Sequence, residues 1–146
     1  MRKMLKSSQG FSLLELLIVV AIILIIATIA IPSFLRSRQL ANENSAVANL
    51  RTVSNAQATY QTSSGGFFGN MTQLVDERLL DNRFGTGVIG GYSYTVTTDG
   101  FAYTVEANPV SSNNGRYGYY MTADGVIRYS VSTTLAPAGQ SGNPVN

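Results

Sequence analysis

Leu16 to Ala27 is a run of twelve residues without one polar side chain. With Thr28 tolerated, the run continues to Ile31 and stops at Pro32. Phe11 to Ile31 is 21 residues, which as a helix spans about 31 Å, the thickness of a bilayer core. A helix apolar on every side must lie in lipid or at the centre of a protein assembly. A cleaved secretory signal has the same front end, but it needs a small-residue cleavage site after the apolar stretch. Pro32-Ser33-Phe34-Leu35-Arg36 offers none.

Charge is arranged around this segment. The net charge of +2 would suggest a phosphate-rich partner if it were spread over the body. Instead Arg2, Lys3 and Lys6 lie in the first ten residues, which hold no acid. From Phe11 onward seven Arg meet eight acids, a net of −1, so the body has no basic stripe for nucleic acid. The 146 residues contain no Cys and no His. Disulfides, thiolate nucleophiles, imidazole bases and Cys/His zinc sites are therefore excluded, and no acid–base or nucleophile constellation points to an enzyme or to a cofactor.

Glu15 sits inside the start of the apolar stretch. A carboxylate at mid-bilayer costs about 2–3 kcal/mol, less near the boundary. One reading is an interfacial Glu near a helix N-terminus, favoured by the helix dipole. The other is a carboxylate that needs a cation once the helix leaves lipid for a protein interior. An amine newly created at Phe11, one helical turn away, would be such a cation, within one chain or between neighbours.

Gly10-Phe11-Ser12-Leu13-Leu14-Glu15, followed by the pure apolar helix, resembles the leader signal of type IV pilins and of their relatives, the type II secretion pseudopilins. The resemblance is close over residues 6 to 36. It implies that a prepilin peptidase cuts between Gly10 and Phe11 on the cytoplasmic side and N-methylates Phe11. It implies that Glu15 is the assembly glutamate that meets a neighbouring subunit's terminal amine, and that Pro32 is the position where the helix bends or melts in the filament. The ten-residue leader and the Phe favour the type IVa branch. The implied partners are copies of the same chain, the peptidase, an inner-membrane assembly platform and membrane lipid before assembly.

Beyond Pro32, Gly and Pro are absent from Ser33 to Ser64, so a helix is expected to resume. Leu40, Val47, Leu50, Val53, Ala56 and Tyr60 recur at spacings of three, four or seven, with Arg38, Glu43, Arg51 and Gln57 on other faces. Ser63-Ser64-Gly65-Gly66 signals its end. Thr72 to Leu80 suggests a short helix with an N-cap. Gly85 to Gly90 spells G-x-G-x-x-G, but without a preceding strand and a following helix it lacks the dinucleotide-binding context and reads as a flexible loop. From Gly91 the period changes to two. Alternation over Tyr92–Thr97 and Phe101–Glu106 around Asp99-Gly100, then over Tyr117–Thr122 and Val126–Val131 around Asp124-Gly125, predicts two hairpins.

The expected fold is α+β: a long N-terminal helix packed on a four-stranded antiparallel meander. Its parts are a leader (1–10), a transmembrane and assembly helix (11–32), an amphipathic helix half (33–62), a connection with a short helix (63–91), the sheet (92–131) and a flexible tail (132–146). The fold implied by the resemblance is the same. Many type IVa pilins close a C-terminal loop with a disulfide, so this cysteine-free chain must hold its C-terminal region otherwise. The expected function is a structural filament subunit, inserted in the inner membrane as a single-pass precursor and extracellular after assembly. The alternative is a minor pilin or a pseudopilin of a periplasmic pseudopilus. Major pseudopilins usually carry a calcium loop, and Asp99, Glu106 and Asp124 are scattered, with Asp99 and Asp124 in turns.

Overall fold

The computed structural model of the chain describes residues 10–131, 135–137 and 139–145. The expected leader, apart from Gly10, lies outside the described residues, as do positions 132–134, 138 and 146 of the expected tail. The chain divides into two units, one ending at Arg36 and one running Ser37–Asn146.

The first unit is the apolar part of α1 (Leu13–Ser63). Its branched aliphatic residues form a helix because nothing in the run competes for the backbone, and none of its side chains is buried. In the single chain α1 runs through Pro32 without a break, whereas the bend or melting expected at that position belongs to the filament. Pro32 removes one N–H, so the carbonyl four residues earlier, that of Thr28, loses its usual donor. The Thr28 hydroxyl donates to the Ile25 carbonyl at 2.7 Å, tightening the turn just before it.

In the second unit, Glu43, Ala46, Leu50, Val53, Gln57 and Tyr60 make the buried stripe of α1, with Ala56 beside it. The steps of three and four residues keep them on one side of the helix. Two polar residues therefore lie where outer faces were expected, and Leu40, expected inside, is 51% exposed. The stripe tolerates polar members because each is fully partnered. Gln57 Nε2 donates to the Gly69 carbonyl at 2.6 Å and its Oε1 accepts from the Gly69 N–H at 3.0 Å. One side chain thus fastens the turn that follows α1. The helix closes where expected, Gly66 N–H donating to the Gln61 carbonyl at 2.9 Å in a Schellman-type cap. Gln57→Leu fills the same space but orphans both groups of a buried peptide. It should cost about 2–4 kcal/mol, read as a lower urea midpoint of the full chain in mild detergent. A loss below about 0.5 kcal/mol would mean that water replaces the amide.

The short helix α2 (Met71–Asp76) starts one residue earlier and ends sooner than expected. Asn70 is its cap: the Asn70 side chain accepts from Gln73 N–H at 2.9 Å and Gln73 Oε1 accepts from Asn70 N–H at 2.8 Å, a reciprocal capping box. Arg78, at φ 58, turns the chain out of the helix. A 3₁₀ turn follows (Asn82–Thr86), burying Phe84 against Tyr94.

The sheet has six antiparallel strands, not the four expected: β1 (Val88–Ile89), β2 (Tyr92–Thr98), β3 (Tyr103–Pro109), β4 (Tyr119–Thr122), β5 (Ile127–Tyr129) and β6 (Asn143–Pro144), in simple meander order. The four longer strands are those the alternation predicts, with shifted ends. The additions are two-residue edges, too short to show a period. β1 exists because Gly90 and Gly91, at φ 60 and 79, form a two-residue type I′ turn that pairs Ile89 with Tyr92. The G-x-G-x-x-G segment is thus a 3₁₀ turn and half a hairpin. β6 pairs Tyr129 with Asn143, and Val145 N–H donates to the Ile127 carbonyl at 2.8 Å. Residues 143–145 of the expected flexible tail are therefore tied to the sheet by backbone bonds. Pro144 sits in this edge strand, where no ladder donor is needed.

At the Asp99-Gly100 turn, Thr98 pairs with Tyr103, so the loop has four residues and Phe101 belongs to it rather than to a strand. On the sheet's inner face Tyr92, Tyr94, Tyr103, Val105, Ala107, Tyr119, Met121 and Ile127 meet the helix stripe as one core.

Candidate functional site

Each sequence-predicted site residue falls on the first unit. Gly10, Phe11 and Ser12 precede α1, and Phe11 is 83% exposed. A Cβ built at Gly10 would meet nothing within 4 Å, so the fold itself places no demand for glycine there. The first backbone bond runs from Leu16 N–H to the Ser12 carbonyl at 3.2 Å, which makes Ser12 the first residue to feed the helix. Glu15 is exposed in the first turn, where a carboxylate meets the positive end of the helix dipole. It is the one charged side chain between Phe11 and Leu35. Phe11 and Glu15 are brought to one end of α1, with Pro32 about five turns along it.

Chemically this is an apolar helix end that carries one carboxylate. Leu13, Leu14, Leu16, Leu17 and the Ile and Val residues that follow are all exposed. An 18-residue window of α1 reaches a mean hydropathy of 3.1 with none of it buried, so this helix is long and apolar enough to cross a membrane. Exposed apolar area of this extent marks a surface meant for lipid or for another protein.

Among the described residues no group of three or more His, Cys, Asp or Glu could hold a metal ion. Asp99 and Asp124 act within their turns. Asp99 Oδ1 accepts from Phe101 and Ala102 N–H, at 2.9 and 2.8 Å, and these backbone bonds lower its pKa. Asp124 accepts from Arg128 Nη2 at 2.7 Å, from the Thr122 hydroxyl at 2.7 Å and from Val126 N–H at 3.0 Å. The Arg128 hydrogen bond is the largest influence holding its pKa down at about 2. A folded pKa below the unfolded value means stabilisation that is present in full above about pH 4 and lost as pH falls through about 2. Asp124→Asn should therefore flatten the fall in melting temperature between pH 4 and pH 2. An unchanged slope would assign that acid sensitivity to other carboxylates.

Sequence reasoning missed one polar constellation. Glu43 is 3% exposed, and its carboxylate accepts from Arg116 N–H at 2.8 Å, Nε at 3.1 Å and Nη2 at 3.0 Å. The Arg116 side chain remains half exposed and lies over the Tyr117 ring, 5.0 Å from its centroid. Glu43 raises the Arg116 pKa chiefly through this hydrogen bonding. Gln39 Nε2 donates to the Ser112 carbonyl at 2.6 Å and Asn42 Nδ2 to the Asn114 carbonyl at 2.9 Å, so loop 111–116 is bound to α1 through polar groups. The available signal was a lone acid in register with the apolar stripe. Its partner, 73 residues away, cannot be read from spacing.

Residues 5–31 match the family model described as the prokaryotic N-terminal methylation motif. The chain is 37% identical over 71 residues to the type IV wide pilus major component PilA4 of Thermus thermophilus, covering 49% of this chain and 54% of that protein. It is 38% identical over 80 residues to the type IV major pilin protein PilA of Myxococcus xanthus, covering 53% of this chain and 36% of that protein. The matches thus span about half the length of the first relative and about a third of the second. No solved structure gives a significant match.

Proposed function

We propose that this chain, which is similar to type IV pilins over about half its length, is a member of that family and the structural subunit of a type IV pilus. The precursor sits in the inner membrane through residues 11–31. Prepilin peptidase cuts it between Gly10 and Phe11 and N-methylates Phe11. The inner-membrane assembly platform then moves it into a homopolymeric helical filament outside the cell. The role is structural rather than enzymatic. The observation that carries this reading is the apolar run 11–31, with none of its side chains buried and Glu15 as its one charge.

The physical sequence is an exchange of surroundings. In lipid the apolar helix is stable alone. In a bundle of copies the same surface is covered by protein, and the sheet-bearing unit is left to the outside. Heterologous packing that does not close generates an open filament. Glu15 enters the bundle at acceptable cost only if a cation meets it, and the methylated amine of Phe11 on an adjoining copy supplies one.

Intact mass and N-terminal sequencing of protein sheared from the surface of the native host test this reading. A chain beginning at N-methylated Phe11 in the sheared fraction is the expected result. Processed chain found in the membrane alone would favour a minor pilin or a pseudopilin. Residues 1–10 retained in every fraction would overturn the assignments of Gly10, Phe11 and Glu15 together. Because the fold leaves open space around Gly10, Gly10→Leu should not disturb folding yet should leave the leader attached, read as the mass of the uncut chain. Normal cleavage of that variant would move the cut elsewhere.

A further inference from the structure

We propose that the sheet-bearing unit carries both halves of a head-to-tail contact between copies of this chain: the exposed Phe101 ring of one copy enters the groove between α1 and the β4–β5 side of the next. The inference rests on the filament reading and adds to it a second, outer contact made by this unit alone.

The groove has a volume of about 190 Å³ and is lined by Leu40, Val47, Tyr117, Tyr129 and Val145, with Glu43 and Asn44 along α1. An apolar cavity of about 150 Å³ takes up benzene, so one aromatic ring fits. Glu43 does not repel it, because its carboxylate is committed to Arg116. The insert is equally well defined. Phe101 is 77% exposed and stands edge-on to Phe67, with ring centroids 5.3 Å apart. The turn beneath is fixed by the two Asp99 bonds and by Phe68 N–H donating to the Gly100 carbonyl at 2.8 Å.

Contacts along α1 show that groove and ring lie at opposite ends of the unit. Loop 111–116 meets Gln39, Asn42 and Glu43, Tyr94 meets Asn49, Tyr103 meets Ser54, and Gly69 meets Gln57. The Phe67–Phe101 pair follows beyond the cap of α1. From Glu43 to Tyr60 the helix rises about 25 Å, so ring and groove cannot meet within one copy. A contact of this kind repeats in one direction without closing.

Charge agrees with that direction. At the groove end Arg38 and Arg116 outnumber Glu43, leaving one positive charge. At the ring end Asp99 is negative, the Asp124–Arg128 pair is neutral, and the last turn of α1 has no basic residue to offset its dipole. Opposite signs at the two ends favour stacking and disfavour a head-to-head pair.

A cysteine-free chain allows a direct test. Ala102→Cys and Asn44→Cys place thiols beside the ring and along the groove at exposed positions. Full-length protein assembled in cells is treated with a short bismaleimide, and sheared material is viewed by electron microscopy in parallel. The double variant should give a ladder of trimers and longer species, each single variant no more than dimers. Adding Phe101→Ser should cut the ladder roughly tenfold, the effect of withdrawing one buried ring. A ladder that ignores Phe101→Ser overturns the contact. Filaments without a ladder also overturn it and leave the filament reading standing. A ladder without filaments supports the contact and removes the filament reading, and the absence of both removes both.

Discussion

Glu15→Ala should be inserted, cut and methylated normally, yet the sheared filament fraction should fall at least tenfold relative to the membrane pool. In lipid the substitution is harmless or favourable, because it removes a carboxylate that costs energy near the apolar region. The leader junction is untouched, so processing continues. The loss appears when the helix enters the bundle. There, in the role proposed for Glu15, the wild-type carboxylate meets an amine, and the alanine variant leaves that amine without its counter-charge in an apolar interior. Breaking such a pair on one side costs about 3–5 kcal/mol, far more than a tenfold effect requires. Glu15→Asp keeps the charge on a shorter arm and should recover part of the yield. Wild-type yield from Glu15→Ala would remove the role assigned to Glu15, while leaving the membrane helix and the cut at Gly10 intact.

Gly115→Ala is expected to damage the sheet-bearing unit strongly through a single added methyl group. A Cβ at this position would overlap the Tyr92 hydroxyl and lie 2.6 Å from Tyr92 Cζ. Tyr92 cannot step aside, being fully buried with its hydroxyl donating to the Tyr117 carbonyl at 2.9 Å. Moving the loop instead pulls Arg116 from Glu43 and Asn114 from Asn42. Either response should cost about 2–4 kcal/mol, overpacking combined with a weakened buried hydrogen bond. That is a large fraction of the 5–15 kcal/mol typical of a domain. The check is urea unfolding of the full chain in mild detergent. Gly115→Ala with the truncating Tyr92→Phe should recover part of the loss, because the overlapping oxygen is gone. A midpoint unchanged in Gly115→Ala would show that loop 111–116 adjusts without strain.

These two variants probe different levels of the protein, and so do the two parts of its chain. The apolar helix was legible from residues 11–31 because its evidence is cumulative: each added Leu, Ile or Val repeats the same statement about solvent. The roles proposed for Gly10, Phe11 and Glu15 could be drawn from the sequence because they depend on order along the chain. The Tyr-rich alternation of β2 and β3 was legible for the same reason, since a period of two over six residues reports a sheet with one buried face. The two-residue strands were not, because β1 and β6 are defined by what they pair with.

The largest departures concern polar groups inside. Glu43 and Gln57 sit on the inner stripe of α1 because Arg116 and Gly69 wait there to satisfy them. Burial is a property of the partner as much as of the residue, and those partners lie 73 and 12 positions away. The same holds for Leu40, which is exposed in an open groove that it lines with Tyr117, Tyr129 and Val145. By itself the sequence determined the membrane-length helix and the sheet's period, and it supplied the proposals for the processing site and the assembly carboxylate, all of which are local or periodic. Only the tertiary structure decided which polar residues are interior, how a chain without cysteine ties down its C-terminal region, and where the groove and its ring lie. Those depend on groups far apart in sequence becoming neighbours.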